Sequence, residues 1–276
     1  MPELPEVETI RQTLRQLVIG KEMESVDIKW PKIIQKPDDM EEFKQLLVGQ
    51  TIEEIRRKGK FLLFDLTDLV LVSHLRMEGK YGVFQKGEEI AKHTHITFHF
   101  VDGTELRYRD VRKFGTMHLF EKGAELDEKP LIQLAMDPLE EHFSFTLFAQ
   151  KIQKSERVIK NILLDQTVIA GLGNIYVDET LFLAGIHPLR KGNSLTLSEI
   201  ETIYQSAVLT LQEAIKQGGT TIRSYVNSQG GQIGMFQQQL HVYGQTDKAC
   251  RKCHDKIVKM KVNGRGTHFC PTCQQL

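Results

Sequence analysis

The sequence predicts an α+β protein of two domains, mainly β in its first half and helical in its second, ending in a zinc-binding hairpin. Three observations carry this. Apolar residues alternate or cluster in short blocks between residues 26 and 108, and from about Ser144 their spacing becomes helical. Four cysteines then stand as two Cys-x-x-Cys pairs, Cys250 with Cys253 and Cys270 with Cys273. At 276 residues the chain is long enough to bury two such cores.

Val7, Ile10, Leu14 and Leu17 recur at helical spacing, with Gly20 as a stop. Strand alternation follows at Val26, Ile28 and Trp30, and a second helix fits residues 40–47. The blocks 61–64 and 69–72, then Ile96, Phe98 and Phe100, then Leu106 and Tyr108, read as strands. Asp102-Gly103 is a hairpin turn between the last two. Residues 127–138 read as the connection between domains. Phe148, Ile152, Val158, Ile162 and Leu163 suit two short helices. Thr196 and Glu199 form a capping box opening a long helix that Gly218-Gly219 closes. Gly171-Leu172-Gly173 precedes Asn174, a favoured N-cap, and with the preceding Leu163-Leu164-Asp165-Gln166 it reads as two helices joined by a two-turn loop. The free N–H groups there make a phosphate site, although a bare Gly-x-Gly also fits a plain helix–helix turn.

Basic and acidic residues balance at 36 each, which excludes a bulk polyanion binder. Their distribution is uneven. From residue 241 onward Lys248, Arg251, Lys252, Lys256, Lys259, Lys261 and Arg265 face only Asp247 and Asp255, and Arg107, Arg109, Arg112 and Lys113 surround Asp110. Such patches fit a confined nucleic-acid cleft, or solvated faces. No apolar run approaches the roughly 18 residues of a membrane span, and no basic-then-apolar leader opens the chain. A cytoplasmic protein is expected, its cysteines serving as metal ligands rather than disulfides.

Sixteen residues separate the two cysteine pairs, a spacing that suits one tetrahedral, structural Zn2+ with no open position. The ion would hold a hairpin over 260–268, with Gly264-Arg265-Gly266 at its tip, where Arg can meet phosphate. Cys250 to His254 also spells a covalent haem motif, but haem attachment of that kind needs export and leaves the second pair without a role. At the other end, Pro2 becomes a secondary amine beside Glu3 once Met1 is trimmed. An amine of this kind can attack a sugar aldehyde carbon and leave a cationic iminium. The same residues also read as a helix start, with Pro5, Glu6 and Glu8 in its first turns.

Taken together, Pro2-Glu3-Leu4-Pro5-Glu6-Val7-Glu8, Arg57-Lys58-Gly59-Lys60-Phe61, Ser73-His74-Leu75-Arg76-Met77-Glu78-Gly79, Tyr108-Arg109-Asp110-Val111-Arg112-Lys113-Phe114-Gly115, the stretch from Asp165-Gln166 to Gly173-Asn174-Ile175-Tyr176-Val177-Asp178-Glu179 and the terminal cysteines resemble the bacterial formamidopyrimidine-DNA glycosylase family from end to end. The resemblance implies an N-terminal β-sandwich with flanking helices over 1–132 and a linker at 133–143. It further implies a helical domain with a helix–two-turn–helix and a base-capping loop over 144–240, and a zinc β-hairpin finger over 241–276. It implies base-excision repair by a bifunctional glycosylase and AP lyase, acting as a monomer on double-stranded DNA with an oxidised purine (8-oxoguanine, formamidopyrimidines) or an abasic site. Pro2 would be the nucleophile at C1′, Glu3 the acid/base, Glu6 its support and Lys60 the lysine near the scissile phosphates. His74, Arg109, Lys160, Asn174, Tyr176 and Arg265 would bind DNA, while Met77, Arg112 and Phe114 would enter the duplex as the base leaves the stack. Thr221, Ile222, Arg223, Ser224 and Tyr225 would belong to the capping loop. Two departures stand out: Ala135-Met136-Asp137-Pro138 replaces the usual Gly-Pro-Glu/Asp-Pro, and Gln245 stands where a basic residue is common.

Three other readings compete. An oxidised-pyrimidine enzyme resembling endonuclease VIII shares the opening proline and the finger, but lacks the Arg112/Phe114 pair and typically the long loop. A non-catalytic, damage-binding zinc-ribbon protein would follow if Met1 were retained. An amino-terminal-nucleophile hydrolase lacks an identifiable oxyanion site.

Overall fold

The first helix, α1 (Leu4–Val18), begins where Glu6 accepts from the Glu3 N–H at 2.9 Å, and Pro5 is tolerated because the first turn needs no intrahelical donor. Leu4, Val7, Ile10, Leu14 and Val18 form its buried stripe. Leu17, expected on that face, is 38% exposed, because the stripe steps four residues from Leu14 to Val18. The computed structural model describes residues 1–220 and 234–276. Those residues divide into two units, the first holding Met1–Ile132 and the second Gln133–Thr220 with Met235–Leu276.

In the first unit the chain continues through β1 (Met23–Ile28), β2 (Ile34–Lys36), α2 (Met40–Leu47), β3 (Glu54–Lys58), β4 (Phe61–Asp65), β5 (Leu69–His74), β6 (Lys80–Gln85), β7 (Thr94–Phe100), β8 (Thr104–Arg109) and β9 (Thr116–Glu121). The strands make a four-stranded sheet, β1-β7-β8-β6, and a five-stranded sheet, β2-β9-β5-β4-β3. The result is a β-sandwich. Ile96, Phe98, Leu106 and Tyr81 of one sheet share a buried core with Leu62, Phe64, Leu71 and Leu119 of the other, and Phe64 meets Tyr81 edge-on at 5.5 Å. Strand β4 is buried throughout, so its apolar run shows no alternation. Strand β1 stops at Ile28 rather than running on through Trp30, since Pro31 opens a 3-10 turn.

The sandwich also fixes the start of the chain. Glu8 of α1 accepts from Arg11 Nη2 at 2.6 Å and Arg57 Nε at 3.1 Å, and Arg57 donates onward to the Gly59 carbonyl at 2.9 Å. Helix α1 is thereby bolted to the hairpin turn that carries Lys60.

The second unit contains α3 (Phe145–Gln153), α4 (Ile159–Leu164), α5 (Asn174–Ala184), α6 (Leu197–Lys216), β10 (Val258–Val262) and β11 (Arg265–Phe269). The Thr196–Glu199 capping box opens α6 as the sequence predicts. Ala135 N–H donates to the Gln166 carbonyl at 2.9 Å and Ala170 N–H to that of Met136 at 3.2 Å, so the start of the expected linker is hydrogen-bonded into this unit. Among the described residues no helix is long and apolar enough to cross a membrane.

Glu8 supplies a test of the α1 anchor. Burial disfavours its charge, but Arg11 and Arg57 more than offset this and hold its carboxyl below its ordinary value of 4.5. A lowered folded-state pKa gives stability that is present above the unfolded value and lost as pH falls through the folded one. Glu8→Gln should therefore destabilise the first unit at pH 7 by about 1–3 kcal/mol, and the difference should shrink as pH is taken below 4.5. Urea unfolding followed by Trp30, the single tryptophan, reads this out. A pH-independent difference would refute it.

Candidate DNA-repair site

The chain start holds several buried ionisable groups. Pro2 is buried, and Glu3, Glu6 and Lys60 are 3%, 4% and 7% exposed. Lys60 follows Gly59 in the two-residue turn between Lys58 and Phe61, where Gly59 takes φ +54°. Phe61 pairs with His74, whose ring meets it edge-on at 4.4 Å. Burial, then the charges of Arg76 and Lys60, push His74 down to about 3, so the imidazole is neutral around pH 7. Its Nδ1 accepts from the Arg76 N–H at 2.9 Å, which leaves the proton on Nε2 as a donor.

Two loops of the sandwich present the expected inserting side chains to solvent. Met77 is 39% and Phe114 52% exposed, and the exposed Arg112 stacks on Phe114 at 4.8 Å. Neither apolar side chain is part of the sandwich core. The loops are not slack. Asp110, wholly buried, accepts from Arg112 N at 3.0 Å, Phe114 N at 2.9 Å and Gly115 N at 2.8 Å. Arg76 and Lys113 take left-handed φ values of 53° and 59° beside Met77 and Phe114. The Lys113 ammonium sits 3.8 Å from the Trp30 ring centroid. Arg109, at the end of β8, buries an Nε that has no hydrogen-bond partner.

In the second unit the turn before α5 is held by Gln166, which accepts from Gly171 N at 2.9 Å and donates to the Leu172 carbonyl at 2.9 Å. Asn174, expected as N-cap, is the first helical residue, and Gly173 is the cap. The Asn174 amide instead donates to the Gly266 carbonyl of the hairpin at 2.9 Å. Lys160 and Tyr176 also differ from expectation, because both side chains are fully buried. Lys160 pairs with Asp178 at 2.6 Å and reaches Gly266 O at 3.3 Å. Asp178 takes the His268 N–H at 2.8 Å, while the next residue, Glu179, accepts from the main-chain N–H groups of His241, Val242 and Tyr243 at 2.8–2.9 Å. Adjacent carboxylates on α5 thus anchor both the hairpin and the chain leading to it.

The hairpin tip is Asn263-Gly264, both at positive φ between the paired Val262 and Arg265, so exposed Arg265 opens β11 rather than forming the tip. Strands β10 and β11 reach slightly beyond the expected 260–268. The Sγ atoms of Cys250, Cys253, Cys270 and Cys273 lie within 4.8 Å of one another, with separations of 3.8 Å for Cys250–Cys273 and 3.4 Å for Cys253–Cys270. Four sulfurs about 2.3 Å from one zinc lie about 3.8 Å apart, so the cage fits a tetrahedral Zn2+.

The structure thus gathers Pro2, Glu3, Glu6, Lys60, His74, Met77, Arg109, Arg112 and Phe114 in one unit. Asn174, Lys160, Tyr176, Arg265 and the cysteines lie in the other. Thr221, Ile222, Arg223, Ser224 and Tyr225 lie outside the described residues. Asp110, Gln166, Asp178 and Glu179 stand in the motifs quoted from the sequence, but sequence reasoning gave them no role.

Two outcomes are expected in the second unit. Asp178→Asn, which removes the charge facing buried Lys160, should cost about 3–5 kcal/mol and lower its melting temperature while Trp30 reports an intact first unit. An unchanged melting curve would contradict the anchor. Zinc chelation should abolish tight duplex binding with the Trp30 signal unaltered. Binding that survives metal loss would show that the hairpin is not a DNA contact.

Residues 1–117 match the family described as formamidopyrimidine-DNA glycosylase N-terminal domain, residues 134–226 the formamidopyrimidine-DNA glycosylase H2TH domain, and residues 247–276 the zinc finger found in FPG and IleRS. The formamidopyrimidine-DNA glycosylases of Shouchella clausii and Oceanobacillus iheyensis are 60% and 57% identical over 99% of the chain and 99% and 98% of their own lengths. Lactococcus lactis Fpg solved with DNA containing an abasic site superposes with a TM-score of 0.92 at 43% identity, and a variant solved with Fapy-dG DNA with 0.93 at 44%. Both alignments cover all of each chain. The chain belongs to the formamidopyrimidine-DNA glycosylase family.

Proposed function

We propose that the chain removes oxidised purines from double-stranded DNA and cleaves the resulting abasic site, with Pro2 as nucleophile. The observation that carries the assignment of roles is the buried chain start, where Glu6 accepts from the Glu3 N–H next to Pro2 and α1 is tied to the Lys60 turn. Once Met1 is removed, the Pro2 secondary amine attacks C1′ and the damaged base departs. The iminium that forms is cationic without a proton. Glu3 moves the proton that opens the sugar, and Glu6, bonded to the Glu3 N–H, fixes the backbone next to the nucleophile. The iminium acidifies the C2′ proton. Its removal expels the 3′ phosphate by β-elimination, and a further δ-elimination expels the 5′ phosphate, with Lys60 as the nearby cation.

DNA contacts divide between the units. His74 offers a neutral Nε2–H to phosphate, and Arg109 and Lys60 offer positive charge. The second Asn174 amide hydrogen presents an N–H donor, and exposed Arg265 meets the backbone from the hairpin. Lys160 acts from within, by holding the hairpin carbonyl at Gly266 that Asn174 also contacts, and Tyr176 packs on the Phe236 ring. Met77, Arg112 and Phe114 fill the gap left by the extruded nucleotide, and Arg112 hydrogen-bonds the orphaned cytosine. Residues 221–225 are assigned to the capping loop on sequence grounds. A monomer working at the nucleoid in the cytoplasm accords with such a substrate.

Borohydride trapping on a duplex with 8-oxoguanine opposite cytosine tests this reading. The covalent adduct should map to the Pro2 peptide, and Glu3→Gln should bind that duplex without releasing the base. An adduct formed only with a thymine-glycol duplex would transfer the chain to pyrimidine repair.

A further inference from the structure

Tyr108 has no part in the reading above, yet its hydroxyl lies where both exposed loops return to the sheets. Each loop closes on itself just before that point: Gly79 N donates to Leu75 O at 2.9 Å, and Gly115 N to Asp110 Oδ2 at 2.8 Å. A Cβ placed on either Gly79 or Gly115 would overlap the Tyr108 Oη, so two separate backbones press on one oxygen atom. That oxygen is 3.5 Å from Asp110 Oδ2, the acceptor that also holds Phe114. The Tyr108 side chain is wholly buried against Tyr81 at 5.2 Å, and Tyr81 donates to Ser73 Oγ at 2.7 Å, one residue before His74.

We infer that the Tyr108 hydroxyl is a strut shared by the two loops, making Tyr108 a positioning residue that holds Met77 and the Arg112–Phe114 pair in register for joint entry into the duplex. The inference rests on the reading that those side chains enter the DNA. Its physical basis is preorganisation. Each loop bears a left-handed residue, Arg76 or Lys113, whose conformation persists only while its surroundings dictate it. Without the oxygen between Gly79 and Gly115, each loop can relax independently, and the wedge must be ordered as it enters. The cost falls on extrusion of an intact base and hardly on an abasic sugar, which has no base to unstack.

Tyr108→Phe, which removes only that oxygen, is the decisive variant. Single-turnover excision of 8-oxoguanine opposite cytosine should slow about tenfold, while cleavage of a duplex with a preformed abasic site changes at most about twofold. In a Met77→Ala/Phe114→Ala background the same substitution should have no further effect, because the strut then has nothing to position. Wild-type excision by Tyr108→Phe, or equal slowing on both duplexes, would overturn the strut. Wild-type excision by Met77→Ala/Phe114→Ala itself would instead overturn the wedge on which it rests. Asp110→Asn, which replaces an acceptor facing the same loop with a donor, should show the same split between substrates if Tyr108→Phe does not fold.

Discussion

Irregular backbone cannot satisfy its own N–H groups, and in this protein buried carboxylates satisfy them. Asp110 holds three donors of the Arg112–Phe114 loop, Glu179 three more ahead of the finger, Asp178 the His268 N–H and Glu6 the N–H beside Pro2. A hydrogen bond to a charged acceptor contributes about 1.5–3 kcal/mol, roughly twice a neutral one, and an unmet buried donor costs a comparable amount. Asp110 and Glu179 therefore select one conformation of segments that helix and sheet rules leave undetermined, while Glu6 completes the capping box of α1 and Asp178 ties down strand β11. Those segments carry the exposed Arg112–Phe114 loop, the chain start and the approach to the zinc site.

The same device resolves an apparent conflict between a formally neutral composition and a polyanionic substrate. Among the described residues ten aspartates and glutamates are buried, against three lysines and arginines, Lys60, Arg107 and Lys160. The side chains that meet solvent are consequently the more basic part of the chain, although the totals are equal. Lys160 and Asp178 show the limit of the device, since neither is exposed at all. Desolvating both ions takes back much of what their attraction gives. What the pair secures is register, because the same ammonium reaches Gly266 O, the carbonyl that Asn174 also contacts.

Where local rules decide, the sequence was legible. Helix α2, the Asp102-Gly103 turn, the Thr196–Glu199 capping box and the cysteine cage follow from spacing and turn chemistry alone. Strands β2, β3, β6 and β9 were missed. Charged residues in β3 such as Arg56 and Arg57 work in tertiary ion pairs, which hides the strand pattern, and Gly82 interrupts that of β6. The departures at Asn174, Lys160 and Tyr176 share one cause. Sequence shows a cation, an amide or a ring, but not the partner chain segment that covers it, and here the hairpin carbonyl at Gly266 and the Phe236 ring supply that cover.

Met77 and Phe114, the side chains proposed to enter the duplex, are both exposed on loops of the sandwich. Neither joins the sandwich core, and each follows a residue of left-handed backbone, Arg76 or Lys113. Flexible loops would bury such side chains against the nearest apolar surface. Rigid ones cannot, so the apolar area stays available for a base stack. Lys113 adds to the rigidity by resting on Trp30, which leaves Arg112 and Phe114 to project on either side of a pinned residue. On the proposal that Met77 and Phe114 enter the duplex, strain at Arg76 and Lys113 serves to open it. It is stored during folding, so that less ordering remains to be done when DNA arrives.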